Sequence, residues 1–332
     1  MTAAPQSSTS KQRLSVIIDF LSKWGTIITI FVLLAFFSIA MPAFRTPSNM
    51  VTIMRSISIV TVIATGITVS LTVDGFDLSV GSVATFTVAL VMSFFVWYGW
   101  GTVPAIIVSL LIALSVALVN SFLIVKLHIF DLLATLATMF IFEGVAMTYT
   151  GGGSISQGMP RLDGTPTTGA IPSGFRLIGQ SPYIILIMLV IVMLVHVFLT
   201  YTKHGRYLYI VGGNREAARL SGIPVNRYRT LAYFLSTLLA GLGGIMLAAR
   251  IGSAQINAGA GYLMPAVAAA FIGFSVAGVK KPNAIGTLVG AILVGLLENG
   301  LIMMSVPYYS LNIIKGLVLA IALAITYYKK HD

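Results

Sequence analysis

The sequence predicts an all-α, polytopic membrane protein of about ten transmembrane helices, with N- and C-termini cytosolic and no soluble catalytic domain. Three observations predict it: composition, the spacing of apolar runs, and the side of the membrane on which basic residues fall. Of 332 residues, 57% are hydrophobic and only 9% charged, with a mean hydropathy of +0.97. Soluble domains carry roughly 25% charged residues. A single aqueous core of this size cannot hide so much apolar surface, whereas a bilayer is itself the apolar phase for outward-facing side chains.

A span needs about 20 apolar residues at ~1.5 Å rise each to cross ~30 Å of hydrocarbon. Runs meeting or nearing that test are 24–41, 51–73, 78–97, 103–125 and 129–149. The second half supplies 183–202, 230–249, 262–277, 284–304 and 311–328. The eighth, 262–277, is short and glycine-flanked, which fits a half-helix or re-entrant element as well as a full span. Residues 1–22 are polar with Lys11 and Arg13, lack a compact apolar region with a small-residue cleavage site, and read as a cytosolic tail before a retained first helix. The transmembrane domain then covers 23–328, and 329–332 is a cytosolic C-terminus.

Basic residues test this order. With the N-terminus inside, inside segments hold Lys11, Arg13, Lys23, Lys126, Lys203, Arg206, Arg215, Arg219, Arg227, Arg229, Lys280, Lys281, Lys329 and Lys330. Outside segments hold only Arg45, Arg161, Arg176 and Arg250, while Arg55 and Lys315 fall within spans. That asymmetry is the positive-inside pattern, and one miscounted helix would invert every later loop. It also accounts for the net charge of +11 without nucleic acid, because the cations sit in short stretches between apolar segments. The absence of cysteine excludes disulfides, thiolate metal sites and cysteine nucleophiles. His128, His196, His204 and His331 lie far apart and suggest neither a metal cluster nor a hydrolase triad. No metal and no cofactor is expected.

Two loops are long. Residues 150–182 contain GGGSISQG and TPTTGAIPSG, turn-rich sequence that reads as an exposed extracytoplasmic cap. The inside loop 203–229, KHGRYLYIVGGNREAARLSGIPVNRYR, is basic and carries a helical signature. Asn214 is placed to cap, Glu216 suits the first-turn dipole, and Ala217, Ala218, Arg219 and Leu220 favour helix. Gly222 then supplies a stop and Pro224 prevents continuation. The residues alone leave two readings open, an ordinary capped connector or a docking element.

Glu216-Ala217-Ala218 followed by Gly222 resembles the Glu-Ala-Ala loop of ATP-binding-cassette (ABC) importer permeases. GRYLYIVGGNREAARLSGI around it is similar to that loop in the ribose-type monosaccharide permease family, inner-membrane components of binding-protein-dependent transport systems. DGFDLSVGSVATF, with Asp74, Gly75, Asp77, Leu78, Ser79 and Gly81, resembles the same family's Gly-x-Asp-Leu-Ser-Val-Gly signature. The resemblance runs from Val51 to Lys315 and implies the membrane subunit of a prokaryotic sugar importer. It implies a coupling helix at 214–222 docking on an ABC ATPase subunit, a second permease subunit in a homo- or heterodimer, and an extracytoplasmic solute-binding protein. The chain has no Gly-x-x-x-x-Gly-Lys-Ser/Thr loop, so ATP is expected on the partner. At 273–286 it reads GFSVAGVKKPNAIG where the family shows a more glycine-rich turn. Related permeases for nucleosides or autoinducer-2 are alternatives, and an ion-coupled secondary transporter is a third that has no reason to present such a loop.

Ionisable groups at membrane depth cost ~2.5–3.5 kcal/mol each on insertion scales and are functional candidates for that reason. They are Asp74, Asp77, Asp131, Glu143, Glu298, Arg55 and Lys315. Asp77 is placed to cap the helix after the glycine break, or to act in the pathway. Glu143, Glu298 and Asn299 are candidates for a pathway lining; the two glutamates alternatively pair with Arg55 or Lys315. Asn120, Thr135, Thr138 and Gln255 are weaker polar candidates, since such groups often join helices in lipid.

Overall fold

The computed structural model describes residues 8–276 and 281–307, together with 310, 311, 313, 314, 316, 317 and 320. The helices run in the order α1 (Ser8–Ala40), α2 (Pro47–Leu71), α3 (Val80–Val96), α4 (Thr102–Ser121), α5 (Asp131–Tyr149) and α6 (Ser173–Ile178). Then follow α7 (Tyr183–Tyr201), α8 (Lys203–Gly213), α9 (Arg215–Leu220), α10 (Val225–Ile251), α11 (Ala260–Ser275) and α12 (Ala284–Met303). A π-helical turn, Phe122–Lys126, extends α4.

Among the described residues six helices are long and apolar enough to cross a membrane: α2, α4 with its π turn, α5, α7, α10 and α12. Three shorter apolar helices, Trp24–Ala40, Val80–Val96 and Ala260–Phe274, accompany them. The chain is therefore a polytopic helical membrane protein. The predicted span 311–328, Lys315 within it, the C-terminus 329–332 and residues 278–280 of the glycine-poor turn lie largely or wholly outside the described residues. Part of the predicted N-terminal tail is helical, because α1 starts at Ser8. The eighth predicted segment becomes α11, whose 16 residues span about 24 Å and contain Pro265.

Helix ends follow local chemistry. Thr46 caps α2 ahead of Pro47, and the Asn283 side chain accepts from the Gly286 amide to start α12. Gly252, with φ 73, ends α10 in the left-handed conformation that glycine adopts without strain.

α2 and α10 form the centre: 67% and 72% of their apolar windows are buried, against 28% for α4 and α5 and 22% for α7. The outer three turn apolar side chains such as Leu111, Phe140 and Leu194 outward, where water would not tolerate them. Glycines bring the inner helices close. A Cβ on Gly244 of α10 would stand 2.7 Å from the Ala84 carbonyl oxygen of α3.

Segment 150–182 is mostly exposed and is anchored to the bundle at a few buried positions. Ile155–Ser156 (β1) pairs antiparallel with Ser253–Ala254 (β2), and Ile155, Ile171 and Phe175 are buried. Arg161 donates to the Trp97 carbonyl, and Gly169 lies against the carbonyls of Phe95 and Val96. The apolar anchors Ile155, Ile171 and Phe175 form no periodic run, so turn-rich sequence does not reveal where the segment is fastened.

Candidate functional site

At the opposite end of the bundle four connections meet: the break 72–79 between α2 and α3, the start of α5, the α7–α10 loop, and the 281–283 turn. The loop is built from two helices rather than one. Thr202 accepts from the Gly205 amide and starts α8, which buries Leu208 and Val211. Its Tyr209 hydroxyl donates to the Pro282 carbonyl at 2.6 Å, and Lys281 stands over the Tyr209 ring. Burial pushes the Tyr209 hydroxyl up to about 12, so it remains a donor.

Asn214 then caps α9 by accepting from the Ala217 amide at 2.9 Å, and Gly222 leaves the helix with φ 76. Pro224 stands immediately before α10. Within α9 the small residues divide. Ala218 is fully buried against its own chain, whereas Glu216, Ala217 and Arg219 are exposed. Of the two alanines in the 214–222 coupling element, only Ala217 is exposed, because a six-residue helix lying on the bundle buries one side. Leu220 is 81% exposed, an apolar side chain on a polar loop that sequence reasoning passed over as a helix former.

The DGFDLSVG residues form the buried counterpart. Asp74 has φ 54 and an exposed side chain, while Asp77 and Ser79 are fully buried. One Asp77 oxygen accepts from the Ser79 amide at 2.9 Å and from its hydroxyl at 2.5 Å; the other accepts from the Ser236 hydroxyl of α10 at 2.7 Å. Asp77 therefore steadies Ser79, the residue preceding α3, without bonding the helix's own first amides. The simple cap expected of it becomes a clasp between the break and α10. Burial pushes the Asp77 carboxyl up, opposed by the bonds from Ser79 and Ser236. Asn120 donates to the Ser79 hydroxyl at 2.9 Å and brings in α4. Thr135 donates to the Phe76 carbonyl and accepts from the Leu78 amide, so α5 also grips the break. Gly81, on the first turn of α3, lies against Leu263 and Gly259 near α11.

Asp131, the first residue of α5, accepts from Arg229 and from the Tyr233 hydroxyl, both on α10. Gly75 fits against this group, since a Cβ there would stand 2.6 Å from the Tyr233 hydroxyl and 2.9 Å from the Asp131 carboxylate. The ion pair was not legible in the sequence, because its partners are 98 residues apart and no local pattern joins them.

The three pathway candidates do not converge. Glu143 is half-buried on α5, which packs on α3 and α4; Glu298 and Asn299 lie on α12, which packs on α1, α2, α7 and α11. Asn299 exchanges two amide bonds with Asn49 of α2, both 3.1 Å, which joins helices. Arg55 donates to the Gly179 carbonyl, at 2.8 Å from one nitrogen and 3.2 Å from another. Among the described residues no group of three or more His, Asp or Glu could hold a metal ion.

Comparison with known proteins adds the following. The family described as "Branched-chain amino acid transport system / permease component" matches residues 49–323. The ribose import permease protein RbsC of Escherichia coli (strain K12) is 34% identical over 92% of this chain and 94% of its own length. The RbsC of Bacillus subtilis (strain 168) is 34% identical over 91% and 92%. The L-arabinose transport system permease protein AraH of Escherichia coli (strain K12) is 30% identical over 99% and 96%. No solved structure matches. The family description and the relatives name different solutes: the family is the broad scaffold, and the relatives, aligned almost end to end, are the narrower guide.

Proposed function

The chain belongs to the branched-chain amino acid transport system / permease component family, and from that premise we propose that it is the translocation subunit of an ABC importer for a monosaccharide, driven through α9. The relatives at 30–34% identity are permeases named for ribose and L-arabinose, which supports a small polyhydroxylated solute. Its role is transport rather than catalysis.

The observation that carries the coupling role is α9 itself. It is short, capped by Asn214, released by Gly222 with φ 76, and presents Glu216, Ala217, Arg219 and a Leu220 that is 81% exposed. An apolar side chain held out on a rigid, capped turn is suited to a groove on a second protein. That protein is an ATPase whose nucleotide-driven closure moves α9. A second permease copy or homologue completes the pore against the outward apolar faces, the remainder of which meets membrane lipid. An extracytoplasmic solute-binding protein delivers the sugar to the end carrying 150–182. The assembly is multi-pass in a bacterial inner membrane, with about ten spans and both termini cytosolic.

The test is co-purification with the ATPase and sugar uptake by variants at Glu216 and Gly222. Both functions are lost while membrane insertion persists. Full uptake by a protein lacking 216–222 overturns the coupling role.

A further inference from the structure

The end of α8 and the start of α9 sit on the α2–α3 break. Arg215, the first residue of α9, donates to the Asp74 carbonyl at 2.9 Å, and its guanidinium lies 3.6 Å from the Asp74 carboxylate. Gly212 of α8 is pressed against the Thr72 carbonyl, where any Cβ would overlap it. Asp74 holds φ 54, a left-handed conformation uncommon outside glycine that aspartate adopts more readily than most residues and that turns the chain sharply here. The break is thus held from outside the bundle at its first half.

Its second half is held from inside. Asp77 is bonded to Ser236 of α10, and Thr135 of α5 bonds the Phe76 carbonyl and the Leu78 amide. The segment joining these two grips, 72–79, is non-helical between two helices. Reorienting helices at such a joint breaks no i to i−4 ladder, so it is where a displacement becomes a change of helix angle at least cost.

We propose that Arg215 and Asp74 are the positioning residues that carry the stroke of α9 into the α2–α3 break, so that the break, rather than the α7 or α10 ends of the loop, is the first part of the bundle to respond to ATP. This rests on the coupling role given to α9 above. Arg215 is here an internal tie and not part of the surface offered to the ATPase.

The cysteine-free chain allows a direct test in the complete transporter, with ATPase and binding protein, in proteoliposomes. R215C retains ATPase co-purification at the wild-type level, but sugar carried per ATP hydrolysed falls about tenfold. In D74C/R215C, bridging the two thiols with a short bis-maleimide restores most of that loss, because the tie is replaced covalently. Wild-type transport by R215C, or a bridge that stops the residual transport, overturns the linkage alone. Failure of the wild-type chain to co-purify with the ATPase overturns the coupling role and the linkage with it.

Discussion

Arg229 and Asp131 form an ion pair whose side chains are only 9% and 8% exposed, joining the start of α10 to the first residue of α5. Tyr233 donates to the second carboxylate oxygen, so the anion is satisfied from two sides by one helix. Gly75 closes over the group. The arrangement ties the DGFDLSVG break to two helices at the end that carries α9.

Removing one partner leaves the other charge buried without compensation. Asp131→Asn is expected to destabilise the protein by about 3–5 kcal/mol, and the double replacement Asp131→Leu with Arg229→Met by less. Thermal unfolding in detergent measures both. A D131N midpoint equal to wild type would show that the pair contributes nothing.

Gly75 has no room for a methyl group, and the atoms it would meet are fixed by the ion pair. Gly75→Ala should cost about 1–3 kcal/mol through overpacking. Adding Tyr233→Phe removes the nearer of the two atoms, 2.6 Å from the would-be Cβ. In a double-mutant cycle Y233F therefore costs less in the G75A background than in wild type. Strict additivity of the two changes would place the crowding elsewhere.

α9 is exposed and six residues long, so its cap matters locally more than globally. Asn214→Ala removes the acceptor for the Ala217 amide and loosens α9 by about 1 kcal/mol, whereas Asn214→Asp keeps it. Hydrogen exchange at 215–220 is expected to quicken roughly fivefold in N214A and to stay near wild type in N214D. Unchanged protection in N214A would mean that packing of Ala218, not the cap, holds the helix.

Burial raises the Asp77 carboxyl, so between its unfolded and folded values the native state binds more proton than the unfolded state. Stability from this group is full below the ordinary carboxylate value and declines as pH rises toward the folded value. Asp77→Asn removes the titration while keeping an acceptor for Ser79, and Ser236 can accept from the new amide. As pH rises above the ordinary carboxylate value, the wild-type unfolding midpoint should fall further than that of D77N. Equal slopes would refute the assignment.

Much of the architecture was legible in the chain. The predicted segments 183–202 and 284–304 fall within a residue of α7 and α12, and 129–149 within two of α5, because their ends are set by local chemistry: Pro182, the Asn283 cap, Asp131 at the first turn. The capped turn at 214–222 was readable for the same reason. α8 was not, because glycines and tyrosines disguise a helix whose apolar side, Leu208 and Val211, is visible only against its neighbours.

The sequence by itself determined that this chain lives in a bilayer, that its apolar stretches form helices, and that α9 would be short and capped. Composition and neighbouring residues decide those matters, and both are local. Tertiary structure alone decided that Ala218 turns inward while Leu220 turns out, that Asp131 meets Arg229, that Asn299 meets Asn49, and that Arg215 rests on Asp74. Those pairs join residues 98 to 250 apart, with 141 between Arg215 and Asp74. Only the packing of helices around α2 and α10 brings them within bonding distance, and no single stretch of sequence records how helices pack.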